Sequence, residues 1–417
     1  MNNINARDAG FDERQPPCVI GLAVLAKMAF RGLDLAPIAE SLRDRGRRNS
    51  SDAAALMDLS LIELFHGRAE SRARLQAAAL ELDTFYRHEP AIVVANPIRV
   101  LALATPGNLM ANTPIEFLLE DADMVLDILY LTPGRSLPES LPHHDLAFVA
   151  VAEGEANRPA LELLADRAKS WPRPLLNAPD RIARLTRDGA CALLTDIPGV
   201  HMPSAARIDR AGLGRIAASG PPLESSERDC RFPVIVRPVG SHAGEGLEKL
   251  DDRAAIGAYL EARDAAEFYI SPFVDYRGAD GLFRKYRVAV IDGQAYACHL
   301  AISSHWMIHY LNADMIDNPQ NRAEEAQFMG AFDQEFGARH RAGLSEIARR
   351  IGLDYFLIDC AETPAGDLLI FEVGNAMIVH AMDPESVFPY KAAPMKKLFG
   401  AFQAMLRGRV IEACATA

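Results

Sequence analysis

The chain has no paired cysteines. Its 6 cysteines are scattered over 417 residues with no C-x-x-C pair, which argues against a disulfide framework or a thiolate metal cluster and for reduced thiols in a cytoplasm. It also lacks a long apolar run. Cys18 to Phe30 is apolar but short and interrupted by Lys27, below what a membrane span requires. The opening Met1-Asn-Asn-Ile-Asn-Ala-Arg-Asp does not follow the order of a secretory signal. A basic surplus is missing as well. The net charge of -12 argues against a nucleic-acid partner, whose phosphates demand a basic footprint. No G-x-S-x-G elbow is present, so no activated serine suggests itself. The composition fits a cytoplasmic enzyme, with 49% hydrophobic residues to build cores in an expected two or three domains.

The most informative segment lies in the last third. Gly352-Leu-Asp-Tyr-Phe-Leu-Ile-Asp359 runs into Pro364-Ala-Gly-Asp367 and returns as Leu368-Leu-Ile-Phe-Glu372-Val-Gly-Asn375. Apolar runs around a Pro/Gly/Asp turn predict a β-hairpin. A turn centred between Ala365 and Gly366 makes Asp359 and Glu372 cross-strand neighbours on one face. Like charges so placed destabilise a sheet pair, so a cation between them is expected. Oxygen donors from Asp359, Glu372 and Asn375 suit a hard ion such as Mg²⁺. A solvent-facing hairpin with two harmless acids is the plainer alternative.

Two further segments are basic. Phe232-Pro-Val-Ile-Val-Arg237-Pro-Val-Gly240-Ser-His-Ala-Gly244-Glu-Gly246 is an apolar strand, a cation and a glycine-rich turn. Alternation places Ile235 with Arg237 on one face and Val234 with Val236 on the other. The glycines let backbone N–H groups approach a polyphosphate. Phe283-Arg-Lys285-Tyr-Arg287-Val-Ala-Val-Ile291 places Lys285 and Arg287 on one strand face and Tyr286 on the other. Two cations there repel unless an anion joins them, though a solvated basic face is the commoner case. Between them, Glu267-Phe-Tyr-Ile-Ser-Pro272-Phe-Val-Asp275 is apolar and broken by Pro272, which predicts an edge strand or crossover.

This order of segments resembles the ATP-grasp superfamily, in its carboxylate–amine ligase branch, over roughly residues 200 to 400 and more loosely from 91. The resemblance implies a fold both α/β and α+β. It has a helical N-terminal extension (1–90), an open parallel α/β pre-ATP-grasp domain (91–200) and a two-lobed ATP-grasp domain (small lobe 201–272, large lobe 273–417). It implies ATP and Mg²⁺ (or Mn²⁺) as cofactors. Arg237 matches the phosphate-contacting basic residue, and Ser241, His242, Ala243, Gly244 and Gly246 match the loop that closes over the phosphates. Tyr269, Ile270, Ser271 and Phe273 match the adenine hinge, with Asp275 near the ribose. Lys285 and Arg287 match the cationic pair facing phosphate or acyl phosphate, and Asp359, Glu372 and Asn375 the metal ligands. The chain departs from the family in carrying Arg237 where most relatives have Lys, and in carrying Gly374 where Asn is usual, with Asn375 one position further. The implied activity is ADP-forming amide synthesis between a small-molecule or peptide carboxylate and an amine, with homodimerisation left open. An ATP-grasp kinase and a non-catalytic nucleotide-binding scaffold are the alternatives.

His299-Leu-Ala-Ile-Ser-Ser-His305-Trp-Met-Ile-His309-Tyr310 is the most unusual remaining segment. His305, His309 and Tyr310 are candidates for substrate contact, and the two histidines share a face if the segment is helical. Zinc is disfavoured, because no acidic or thiol partner accompanies them. The front of the chain, to about residue 90, reads as helical. Ala53–Phe65 and Ser71–Leu82 are Ala/Leu-rich and separated by His66-Gly67, like a single tetratricopeptide-type unit. Beyond it, Ile98–Ala104, Met124–Leu131, Asp145–Val151 and Pro174–Asn177 read as strands alternating with helices, an open parallel sheet. Its Thr-Pro-Gly turns, ending at Gly107 and Gly134, are placed on the acceptor-substrate side. Asn177 and Arg187 are assigned either to substrate positioning or to capping.

Overall fold

The computed structural model describes residues 15–219, 232–241, 244–310 and 313–416. The chain divides into two compact units. One comprises Met1–Ala183, Leu353–Tyr355 and Asn375–Ala417; the other comprises Arg184–Gly352 and Phe356–Gly374.

In the first unit, helices span Leu22–Phe30, Ala36–Arg48, Ala53–Phe65 and Ala69–Leu82. The Asp52 carboxylate caps the third by accepting the Ala55 N–H at 2.9 Å, satisfying a donor the helix itself cannot. Leu25, Leu42, Ala55 and Ile62 bury their side chains together, and Leu75 of the fourth helix packs on this cluster. A sheet follows from β1 (Phe85–His88), β2 (Arg99–Ala104), β3 (Val125–Tyr130), β4 (Leu146–Val149) and β5 (Leu175–Leu176), in the order β1-β3-β2-β4-β5. The strands β2 to β5 are parallel, as alternating strands and helices predict. β1 is antiparallel to β3 and falls inside the stretch expected to be helical. Four residues are too few to show a period, so pairing with β3 decides their conformation. The long helix Ala392–Thr416 sets Phe402 edge-on to Phe148 at 5.7 Å and to Tyr355 at 5.3 Å. Asn177, fully buried at φ 56°, brackets Tyr355. Its amide donates to the Tyr355 carbonyl at 2.9 Å and accepts the Tyr355 N–H at 2.8 Å.

The second unit holds two sheets. One contains β7 (Ala206–Asp209), β8 (Val234–Pro238), β9 (Glu248–Leu250) and β10 (Glu267–Pro272), in the order β7-β10-β8-β9. Val234, Val236, Phe268 and Ile270 form its core with Ile256 and Tyr259 of the helix Arg253–Glu261. β10 is interior rather than an edge. Pro272 is tolerated because it is the last residue of the strand, and β7 reaches only as far as Ile270. The other sheet comprises β6 (Val200–His201), β11 (Phe283–Ile291), β12 (Gln294–Ser303), β13 (Tyr355–Glu362) and β14 (Leu368–Gly374), in the order β12-β11-β13-β14-β6. β11 and β12 are joined by Asp292-Gly293, both at positive φ (48° and 76°), the backbone that a tight hairpin turn requires. The register shifts after Arg287, which faces His299, whereas Val288 faces Ala297. Cys298 therefore forms a bulge beside the site. The fold is thus α/β in the first unit and α+β in the second.

Candidate active site

The hairpin β13–β14 sets Asp359 opposite Glu372. Near the turn the pairs are Cys360–Ile370, Ala361–Leu369 and Glu362–Leu368, so the hairpin is centred on Ala365 and Phe371 is an extra, bulged residue. The bulge restores the acid pair that a turn centred half a residue later would have given.

The cations that the opposed acids demand come in the first place from the protein. Lys285 Nζ lies 3.1 Å from Asp359 Oδ2. Arg287 grips the same carboxylate with two bonds, Nε to Oδ1 at 2.7 Å and Nη2 to Oδ2 at 3.0 Å. β11 is adjacent to β13, and the two-residue spacing of Lys285 and Arg287 presents both cations to one carboxylate. Tyr286, on the other face, packs against Phe328 and Phe336 at 4.9 and 4.7 Å. Burial opposes ionisation of Asp359, but the charges of Arg287 and then Lys285 outweigh it and hold its carboxyl well below the usual range. Glu372, 44% exposed, accepts from Arg187 Nη2 at 3.1 Å.

A fourth cation stands at the end of β8. Arg237 is 7% exposed, and its pKa is pushed down to about 10 by burial first and by Arg187 second, with Glu372 opposing. Its guanidinium pins the glycine turn by donating from Nε to Ser241 Oγ at 3.1 Å and from Nη2 to the Ser241 carbonyl. Gly244 and Gly246 have φ of 76° and 65°, and a methyl group at Gly244 would lie 2.5 Å from His309 Nε2. The turn therefore closes against His309. That imidazole is held below its ordinary pKa by burial first and by Lys285 second, with Asp359 opposing. His242 and Ala243 lie outside the described residues.

The expected hinge runs along β10. Tyr269 pairs with Arg237 across the strands, Ile270 is buried, and the Phe273 N–H donates to the Pro233 carbonyl at 3.0 Å. The Ser271 hydroxyl lies 3.5 Å from the Pro272 carbonyl. The Phe273 ring meets Trp306 edge-on at 5.6 Å, with Lys249 Nζ 4.8 Å above it. Asp275 is exposed and closes a local turn by accepting the Arg277 N–H at 3.0 Å.

Residues 304–307 form bends, and 308–309 are irregular rather than helical, so the shared helical face for His305 and His309 does not exist. His305 is exposed. The Tyr310 hydroxyl donates to Glu325 at 3.1 Å, and its ring lies 4.8 Å from that of His299. The Asn375 amide donates to the Val151 carbonyl at 2.9 Å and to Thr113 Oγ1 at 3.3 Å, both within the first unit. Cys298 and Cys360 are buried, and desolvation raises both thiols, Cys298 to about 12. They serve as small core residues. Arg187 was not separable from a helix cap in the sequence. Its approach to Glu372, 185 positions away, leaves no local signal.

Among the described residues no set of three His, Cys, Asp or Glu side chains could hold a metal by itself. Two carboxylates completed by phosphate oxygens and water fit Mg²⁺ or Mn²⁺, which need no all-protein cage; they do not fit zinc. Around them Lys285, Arg287, Arg187 and Arg237 outnumber Asp359 and Glu372. The surplus of two positive charges is close to what a Mg²⁺-bound nucleoside triphosphate, at about two net negative charges, would neutralise.

No family model matches the sequence. Solved structures similar to this chain include the D-alanine–D-alanine ligase from Bacillus anthracis complexed with ATP. It shares 14% identity, covering 75% of this chain and 98% of that one, at a TM-score of 0.41. A second is the RimK domain ATP-grasp protein from Sphaerobacter thermophilus, with 16% identity, 74% and 98% coverage and a TM-score of 0.41. A third is the VanG D-Ala:D-Ser ligase from Enterococcus faecalis, with 12% identity, 74% and 99% coverage and a TM-score of 0.44. TM-scores this low assign no chemistry. That has to come from the side chains.

Proposed function

We propose that the chain is an ATP-grasp carboxylate–amine ligase that releases ADP and phosphate. One observation carries the reading: Lys285 and Arg287 close on Asp359, which faces Glu372, so that a cationic surplus and two hard-oxygen ligands share one sheet face.

A carboxylate is a poor acyl donor, since its leaving group would be oxide. Attack of a substrate carboxylate oxygen on the γ-phosphorus breaks the bond to the β-phosphate oxygen and yields an acyl phosphate and ADP. The nitrogen of the amine then attacks the acyl carbon, phosphate leaves, and the nitrogen gives up a proton to form the amide. The residues' task is to position and neutralise the moving oxygens. Lys285 and Arg287 face the transferring group. Arg237 holds Ser241 and with it the glycine turn over the phosphates, which excludes water that would hydrolyse the acyl phosphate. Asp359 and Glu372 would hold Mg²⁺ or Mn²⁺, which supplies charge neutralisation to phosphate oxygens. The substrates belong to the carboxylate and amine classes, small-molecule or peptide.

Incubation with ATP, Mg²⁺, hydroxylamine and a panel of acids tests this. A hydroxamate formed with ADP supports the ligase; a stable phosphorylated product would identify a kinase, and absence of nucleotide-dependent product a binding scaffold. Glu372→Ala is expected to abolish ADP release while preserving the circular dichroism spectrum, because Asp359 keeps its own cations. Turnover at the parent rate in this variant would remove Glu372 from the metal site.

A further inference from the structure

The first unit contains a cavity of about 90 Å³ that the chemistry above does not use. It lies on the face of the first sheet, beneath the helices Ala53–Phe65 and Ala69–Leu82. Its floor includes Ala102 and Ala104 of β2 and Ala150 just after β4, beside Ile128 and Tyr130 of β3; the alanines are small where sheet faces usually carry larger β-branched or aromatic side chains. Gly21 keeps a second wall open. At φ 88° it carries no side chain, and a methyl group there would lie 2.2 Å from the His88 ring and 2.6 Å from Glu116 Oε2.

Two opposite charges line this space, and each is held by partners other than the other. Arg72 donates from Nη1 to the Gly107 carbonyl at 2.6 Å and reaches Gln76 Oε1 at 3.4 Å. Gln76 in turn accepts the Gly107 N–H at 3.0 Å, which fixes the turn after β2. Glu116 accepts the Ala23 N–H at 3.0 Å, and His88 Nε2 lies 3.5 Å from its other oxygen. Tyr130 also lines the cavity. Its phenol is raised by burial first and by the charge of Glu116 second, so it stays protonated. The remaining wall is largely apolar, with Leu61, Leu64 and Leu109. An apolar space with a few convergent polar groups is the usual make-up of a small-ligand site.

We propose that this cavity binds a small zwitterion of the α-amino acid class. The carboxylate faces Arg72, the ammonium faces Glu116 and the Tyr130 hydroxyl, and the side chain lies on Leu61 and Leu64. Size limits the ligand. The space of about 90 Å³ is several times what a single water requires, which suits an amino acid with a short side chain such as alanine or serine. This assignment does not rest on the ligase reading.

Calorimetric titration and thermal unfolding of the full chain, without nucleotide, test it against alanine, serine, tryptophan, ethylamine and propionate. Alanine or serine is expected to bind saturably and raise the unfolding temperature. Ethylamine and propionate, each lacking one charge, are expected to bind at least about tenfold more weakly, because each forgoes one of the two charge-assisted contacts. Tryptophan is expected not to bind. Glu116→Gln should weaken alanine or serine binding by a similar factor, and Ala104→Leu should abolish it by filling the space. If the leucine variant fails to fold, Glu116→Gln decides. Absence of saturable binding by both small amino acids, equal binding of the single-charge analogues, or undiminished binding in Glu116→Gln would overturn the assignment. Because the readout involves no turnover, any of these outcomes leaves the hydroxamate experiment untouched.

Discussion

The two units solve the same electrostatic problem in different ways. In the first, Asp127 sits on β3, 1% exposed, and Arg87 on β1 pairs with it across the strands, Nε to Oδ1 at 2.8 Å and Nη2 to Oδ2 at 2.9 Å. In the second, Asp359 on β13 receives the same two-pronged grip from Arg287 and a further bond from Lys285. The first closes on one main cation, with Arg99 at 3.9 Å. The second has two cations on one acid and gathers Arg187 and Arg237 near Glu372. A buried ion pair alone is weak evidence for function, since sheets use such pairs as locks. On the proposed reading, the unbalanced charge is what separates a site from a lock.

Removing the acid should give the largest effect. Asp359→Ala leaves Lys285 and Arg287, 14% and 17% exposed, without their anion and is expected to cost about 3–5 kcal/mol in chemical denaturation. Adding ATP should restore part of this loss. Asp127→Ala should fall toward the lower end of that range and gain nothing from ATP, and an equal gain in both variants would erase the distinction.

Removing a cation should separate the roles. Lys285→Met is expected to lower ADP release by about 10²–10³-fold and to shift stability by less than about 1 kcal/mol, because Arg287 still pairs with Asp359. Arg87→Met should do the reverse, losing about 3 kcal/mol of stability with little change in turnover. Steady-state ADP release and urea unfolding on both variants check this.

Acid and neutral pH should distinguish two buried carboxylates. Asp359 is depressed in the folded chain, so its contribution is complete above its unfolded value and is lost as pH falls below about 4. Asp58 behaves oppositely. Burial first pushes it to about 6, although the Ile20 and Gly21 N–H groups favour its charged form. The fold then binds a proton that the unfolded chain has lost, and stability declines as pH rises from about 4 to about 6, by on the order of 3 kcal/mol. Asp58→Asn should flatten that decline in unfolding measured across the interval. The smallest effect is expected at Arg207–Glu267, a pair 34% and 43% exposed between β7 and β10. Arg207→Ala should cost less than about 1 kcal/mol.

Much of the local structure was legible. Period-two alternation separated Arg237 from Val234 and Val236, and Tyr286 from Lys285 and Arg287, because side-chain direction in a strand is fixed by parity alone. The acid pair was legible through two offsets that cancel, a hairpin centred on Ala365 and a bulge at Phe371. A pattern of residues shows the neighbours but not the extra residue between them. β1 was missed because its four residues follow a helix and take their conformation from β3.

The chain alone determined which side chains share a strand face and where glycine permits the backbone to turn, since both follow from stereochemistry within a few residues. Folding in three dimensions decided which acid those cations meet. It brought Arg187 to Glu372 and His309 against Gly244, and it left a space over three alanines. Such contacts join positions far apart in sequence, and their charge balance exists only once burial has removed water from between them.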